Sequence, residues 1–202
     1  MTQRLDFYFD FISPFGWLAS LRVDEMAQRH GYDAHWQSML LGVSVLKVMG
    51  MKPLRQYPMK GDYLKRDLMR YMRKHNITTA RDLDSPPANP IAAGRIFHTL
   101  NAQDEVLAKT VAKALLQAYW SEARDIGDAE LAIAIAAAAG ADRNMLQEAL
   151  ASGEGDRLLR AAVERSLARG VFGSPFFIVN DEPFFGLEKM ELVEDWLTSG
   201  GW

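Results

Sequence analysis

The sequence predicts an α/β fold in which both ends of the chain build one small mixed sheet and a helical block lies between them. Three observations carry that prediction. Leu5, Phe7, Phe9 and Phe11 alternate with Asp6, Tyr8 and Asp10, the two-residue period of a strand. No strand pattern follows between about residue 45 and about residue 170. A strand pattern then returns at Phe176–Val179.

Each element follows from local chemistry. Ser13-Pro14 comes directly after the first strand. Ser favours the N-cap and Pro the first helical position, so a helix is expected over residues 14–30, stopped by Gly31. Residues 34–39 read as a second strand, which makes the opening a strand–helix–strand crossover. Residues 39–50 are apolar with little punctuation. Residues 63–75 are amphipathic, with Leu64, Leu68, Tyr71 and Met72 on one face. Residues 84–90, with three Pro among Asp, Ser and Asn, read as a loop. Helices are expected at 91–101, 104–123, 128–139, 142–152 and 155–169, with Gly140 ending one and Asp142 capping the next. After Phe176–Val179, a turn-like break at 180–183 leads to the short apolar pair Phe184-Phe185. Gly186 precedes a last helix over 188–197. The order is βαβ, helices, ββα, without an internal repeat.

Composition narrows the function. The 202 residues hold 23 Lys and Arg against 26 Asp and Glu, a formal charge of −3, so no global basic surplus points to nucleic acid. The chain has no cysteine, which excludes disulfides, thiolate-bound metals and a thiol nucleophile of its own. His30, His35, His75 and His98 are scattered without helical ligand spacing, so no metal site is expected. The N-terminus lacks the apolar run of a signal peptide, and the longest apolar stretch, residues 131–139, is too short to cross a bilayer. A soluble, cytoplasmic protein without membrane contact is the expectation.

Three short segments offer chemistry, each with a plainer alternative. Ser13 stands where a strand hands over to a helix, beside free N–H groups that favour an anion such as a thiolate or carboxylate; the alternative is an ordinary N-cap. Pro175, after Gly173-Ser174, suits a cis proline in a tight turn or an ordinary trans proline closing the preceding helix. Gly186-Leu187-Glu188 opens the last helix, where backbone N–H groups can hold a carboxylate and Glu188 an ammonium group; the alternative is a Glu complementing the helix dipole. Lys60, Lys65, Arg66, Arg70, Arg73 and Lys74 make a basic helix that either attracts an anionic substrate or is a solvated face.

Taken in order, FYFDFISPFGWLA, KGDYLKRDLMRY, GVFGSPFF and FFGLEKMELVEDWL resemble the 2-hydroxychromene-2-carboxylate isomerase family, close to the kappa-class glutathione transferases, over essentially the whole chain. The resemblance implies a thioredoxin-like domain interrupted by an all-helical insertion. The segments would be residues 1–40 and 165–202 for the first and 41–164 for the second. It implies glutathione as an external thiol, with Ser13 at the position of the redox cysteine of thioredoxin-like proteins. Ser13 would hydrogen-bond the sulfur, and Pro175 would be cis. Ser174 would pair its backbone with the cysteinyl part of glutathione. Phe185, Gly186, Leu187 and Glu188 would hold the γ-glutamyl end, through the Leu187 N–H and the Glu188 carboxylate. The implied reaction interconverts 2-hydroxychromene-2-carboxylate and trans-o-hydroxybenzylidenepyruvate, by thiolate addition, bond rotation and elimination. A homodimer is implied as well.

Two features depart from the family pattern. The loop that often reads Gly-Asn is Gly50-Met51-Lys52 here, and the FG-x-D-R pattern becomes Phe185-Gly186-Leu187-Glu188-Lys189. A carboxylate substrate needs cationic or amide donors, which makes Lys47, Lys52, Asn89 and Arg95 candidates for its contacts. Two other readings remain open: a kappa-type transferase that conjugates electrophiles, and a thiol-less peptide-binding module.

Overall fold

The computed structural model describes residues 3–202; Met1 and Thr2, at the start of the first expected domain segment, lie outside the described residues. The aromatic alternation forms β1 (Gln3–Phe9). It pairs in parallel with β2 (Tyr32–Ser38) and antiparallel with β3 (Phe176–Val179), which pairs with β4 (Glu182–Phe185). The sheet order is β2-β1-β3-β4, so the two ends of the chain meet at its centre. Asn180 and Asp181, at φ 49° and 66°, form the two-residue β3–β4 turn. Pro183 is tolerated because β4 is an edge strand.

The expected helix over 14–30 is two helices, α1 (Pro14–Ser20) and α2 (Val23–Arg29). The reason lies in burial. Gly16 to Ser20 are all enclosed, whereas α2 buries only the stripe Val23, Met26 and Ala27, and Leu21 between them is 51% exposed. The Arg22 guanidinium at this break donates to the Tyr71 hydroxyl at 3.0 Å. β2 starts two residues earlier than expected, since Tyr32, Ala34 and Trp36 share the buried face.

The apolar stretch after β2 becomes a π-helical segment, Gly42–Val48, followed by a single 3-10 turn, Leu54–Gln56. Five helices were expected from residue 91 to 169, and five are present after α3 (Lys60–Lys74): α4 (Ile91–Asn101), α5 (Glu105–Trp120), α6 (Ala129–Ala138), α7 (Arg143–Ala151) and α8 (Glu154–Ala168). Asp104, Asp128 and Asp142 cap α5, α6 and α7 by accepting backbone N–H groups at 2.9 to 3.2 Å. A 3-10 turn, Leu187–Lys189, leads into α9 (Met190–Ser199).

One core joins sheet and helices. Phe7, Phe9, Phe11 and Phe177 on and beside the sheet meet Trp36 of β2 and Phe97 of α4, with ring centroids 5.0 to 6.5 Å apart. Trp17 of α1 stacks on Trp120 of α5 at 5.5 Å. This packing fixes α1, and with it the residues at its N-terminus, against the helical block. Among the described residues no helix is long and apolar enough to cross a membrane.

Candidate functional site

The site forms where the β1–α1 junction meets the loop before β3. Ser13 is the N-cap of α1, and its side chain is nearly buried, with the residue 3% exposed. Its Oγ accepts the Gly16 N–H at 3.1 Å and donates to the Ser174 carbonyl at 3.0 Å, 161 residues away in the chain. The Ser174-Pro175 peptide bond is cis. Ser13 is therefore both a helix cap and a bridge to the second loop; of the two readings open for it, the cap is present and the bridge adds to it.

Gly186 follows from the same junction. Its N–H donates to the Pro175 carbonyl at 3.1 Å, and its φ of 113° suits glycine alone. Leu187 is buried, and α1 packs on the turn that Leu187 begins. The N–H groups of Ser174 and Leu187 find no acceptor among the described residues. Glu188 is exposed, folds its carboxylate back over Gly186 and makes no ion pair among the described residues. Phe185 packs with Phe172 and Phe176 beside the cis-proline loop, at centroid distances of 4.7 and 6.2 Å. Ser13, Ser174, Pro175, Phe185, Gly186, Leu187 and Glu188 thus gather at one end of the sheet, where β1 and β4 finish and β3 begins.

The candidates for a substrate carboxylate are less converged. Lys47 and Lys52 are exposed on and after the π-helical segment. The Asn89 side-chain oxygen accepts the Ile91 N–H at 3.1 Å at the start of α4. Arg95 is paired with Asp156 of α8 at 2.6 Å, which ties two helices together. On the basic helix α3, Arg70 pairs with Asp67 at 2.7 Å and Lys65 pairs with Asp84, so part of its charge is neutralised on the surface. Among the described residues no group of three metal-ligating side chains occurs.

Asp10 is the polar residue of the site that sequence reasoning missed. It is fully buried, as are Asp6 and Tyr8 at 4% and 5% exposure, so the alternation in β1 does not separate a solvent face from a core face. The strand ends at Phe9, and Asp10 opens the loop that leads to Ser13. Its carboxylate accepts the Ile12 N–H at 3.1 Å and the Leu41 N–H at 2.7 Å. Burial pushes its carboxyl up to about 6, against the two backbone hydrogen bonds, which lower it. The signal that marks it in the sequence is an Asp three residues before the capping Ser.

Close approach at this junction needs Gly16. A Cβ there would lie inside contact distance of the Ser174 Oγ. That hydroxyl accepts the Asp10 N–H at 2.9 Å, so moving it leaves a donor unpaired. Gly16→Ala is expected to destabilise the fold by about 1–2 kcal/mol, the displaced contact outweighing the gain in helix propensity. Urea unfolding checks this, as a lower midpoint at unchanged slope. An equal or higher midpoint would show that the Ser174 hydroxyl is free to move.

Comparison with known proteins adds the family. Residues 4–198 match the DSBA-like thioredoxin domain. The chain is 27% identical over 198 residues to 2-hydroxychromene-2-carboxylate isomerase of Sphingobium xenophagum, covering 98% of this chain and 99% of that one. It is 24% identical over 212 residues to glutathione S-transferase kappa 1 of Caenorhabditis elegans, covering 96% and 90%. Among solved structures, a selenomethionine form of 2-hydroxychromene-2-carboxylate isomerase superposes with a TM-score of 0.79 at 25% identity, over 95% of this chain and 93% of that one.

Proposed function

The chain belongs to the DSBA-like thioredoxin domain family, and from that premise we propose that it is a glutathione-dependent cis–trans isomerase of the 2-hydroxychromene-2-carboxylate type. The isomerase relatives match it nearly end to end, which supports the reaction class. One observation carries the thiol-site reading: the Ser13 hydroxyl lies 3.0 Å from the carbonyl of the residue before a cis proline, in a chain without cysteine. Such a site places a hydroxyl donor where thioredoxin-like redox proteins carry their own sulfur.

The residues fit glutathione. The unpartnered N–H of Ser174 and its carbonyl offer a strand-like edge to the cysteinyl residue. The unpartnered N–H of Leu187 suits the γ-glutamyl carboxylate, and the unpaired Glu188 suits the ammonium group. Bound glutathione supplies the thiolate that adds to a conjugated substrate and leaves again, which makes rotation about the former double bond easy. Ser13 stabilises negative charge at that sulfur by donating its hydroxyl proton in a hydrogen bond. The Gly16 N–H and the α1 cap hold the Ser13 oxygen in place, so only its proton turns from the Ser174 carbonyl to the sulfur. Lys47, Lys52, Asn89 and Arg95 are the proposed contacts of the small aromatic carboxylate. Of these, Arg95 reaches it only by sharing or leaving Asp156.

The same reading divides the chain into a thioredoxin-like part, residues 1–40 and 165–202, and a helical part, residues 41–164, and takes the working unit to be a cytoplasmic homodimer. A kappa-type conjugating activity is the second reading, favoured by the Caenorhabditis elegans relative. Analysis of products from a chromene and from a simple electrophile separates the two.

Calorimetry tests the thiol site. Wild type is expected to bind glutathione, and Glu188→Gln to bind it about tenfold more weakly, by loss of one charge-assisted contact at an exposed position. Equal affinity in the variant would remove Glu188 from the γ-glutamyl contact. Absence of binding in wild type would overturn both thiol readings and favour a peptide-binding module.

A further inference from the structure

Asp10 uses every polar group it has. Its carboxylate accepts from Ile12 N–H, one residue before Ser13, and from Leu41 N–H, at the entry to the π-helical segment. Its carbonyl accepts from the Ser13 N–H at 2.9 Å. Its own N–H donates to the Ser174 Oγ at 2.9 Å. One fully buried residue therefore joins the α1 cap, the cis-proline loop and the start of the helical block. Next to it, the Phe11 carbonyl is held by the Trp120 indole N–H at 3.0 Å, which pins the same loop from α5.

We propose that Asp10 is a positioning residue for the thiol site, and that only its ionised carboxylate holds Ser13 against Ser174. The proposal rests on the reading of Ser13 and Ser174 as the pair that receives glutathione. Ionised, the carboxylate is acceptor-only and meets two N–H donors. Protonated, it carries an O–H directed into a buried region where both neighbouring backbone groups are already donors. The Ile12 and Leu41 contacts then loosen, and Ser13 loses its fixed place opposite Ser174.

The surroundings leave this group in charge of its own titration. From the cis-proline loop it meets a neutral serine; from the segment after β2 it meets a backbone amide; α1 offers no charged side chain. From α5 it is close to Tyr119, whose hydroxyl is raised chiefly by burial and accepts the Ala88 N–H, with the Arg81 guanidinium 4.2 Å from the ring. Among the described residues no Lys, Arg or His pairs with Asp10. Burial is the one cause that raises its carboxyl, to about 6, against the two backbone hydrogen bonds that lower it.

The test uses the full chain without ligand and then with glutathione. In amide NMR spectra from pH 5 to 7.5, the Ile12 and Leu41 resonances should titrate together near pH 6, and those of Ser13 and Gly16 should follow them. All four should be flat in Asp10→Asn. Glutathione affinity, read by calorimetry, should fall about tenfold on acidification through the same midpoint in wild type, and should be weak and flat with pH in Asp10→Asn. If Asp10→Asn does not fold, Ser174→Ala serves instead: Ile12 and Leu41 should still titrate, while the Ser13 response shrinks. Titration of Ile12 and Leu41 without any response of Ser13, Gly16 or glutathione affinity would overturn the positioning role and leave Asp10 as a structural link. If wild type binds no glutathione at any pH, the functional reading falls, and the response of the Ser13 and Gly16 amides alone decides the positioning.

Discussion

Ser13→Ala is expected to lose turnover and keep the fold. The hydroxyl makes two contacts, one that caps α1 through Gly16 N–H and one that reaches the Ser174 carbonyl. Removing the cap costs about 1 kcal/mol, which lowers the melting temperature by roughly 2–4 °C for a chain of this size. The catalytic cost is larger. A hydroxyl that donates to a neutral carbonyl has a better acceptor in an anionic sulfur, and hydrogen bonds to charged groups are worth about 1.5–3 kcal/mol. Turnover should therefore fall by about 10- to 100-fold. Glutathione affinity should change less, because the Ser174 backbone, the Leu187 N–H and Glu188 are untouched. Steady-state kinetics with varied glutathione, beside a thermal melt, separate these effects. Unchanged turnover would remove Ser13 from the mechanism, and a melt lowered by tens of degrees would make its role structural.

The sequence made the local decisions legible. Helix starts at Asp104, Asp128 and Asp142 depend on one side chain meeting the next two or three N–H groups, so the residue type announces them. The alternation of Leu5, Phe7, Phe9 and Phe11 and the run Phe176–Val179 gave away two strands of the sheet, because a side chain on each face is a property of a strand itself. What depends on distant partners was not legible. The break at Leu21-Arg22 reflects which faces of α1 and α2 the rest of the chain covers. The π-helical segment has no local signature. The cis bond at Pro175 was implied only by resemblance to a family, and the direct bond between Ser13 and Ser174, 161 residues apart, was not expected. Arg95 looked like a free donor until α8 supplied Asp156. Asp10 did not stand out because two of its partners, Leu41 and Ser174, come from distant parts of the chain.

Two buried groups should give the protein opposing responses to acid. Asp10 has its carboxyl raised from 3.8 to about 6 by burial, so below pH 3.8 its contribution to stability is fully present, and it is lost as pH rises through 6. His98, buried on α4 with Nε2 2.9 Å from the Ser38 carbonyl, is lowered from 6.5 to about 4, chiefly by burial. Its contribution is fully present above 6.5 and is lost as pH falls through 4. The carbonyl can only accept, so the neutral ring donates from Nε2, and a second proton on the ring gains no partner while acquiring a buried charge. Each shift is worth about 3 kcal/mol, at about 1.4 kcal/mol per unit. In wild type the two slopes nearly cancel between pH 4 and 6, and the variants should unmask them. Relative to wild type, Asp10→Asn should become less stable by about 3 kcal/mol as pH falls from 6 to 4, because the His98 response is no longer offset. His98→Gln keeps an N–H donor for Ser38, and relative to wild type it should gain about 3 kcal/mol over the same fall, because only the Asp10 response remains. Urea unfolding at half-unit pH steps reads both differences, and the other carboxylates, common to all three proteins, drop out of them. Parallel curves for wild type and Asp10→Asn would show that Asp10 titrates in the native state as it does in the unfolded chain.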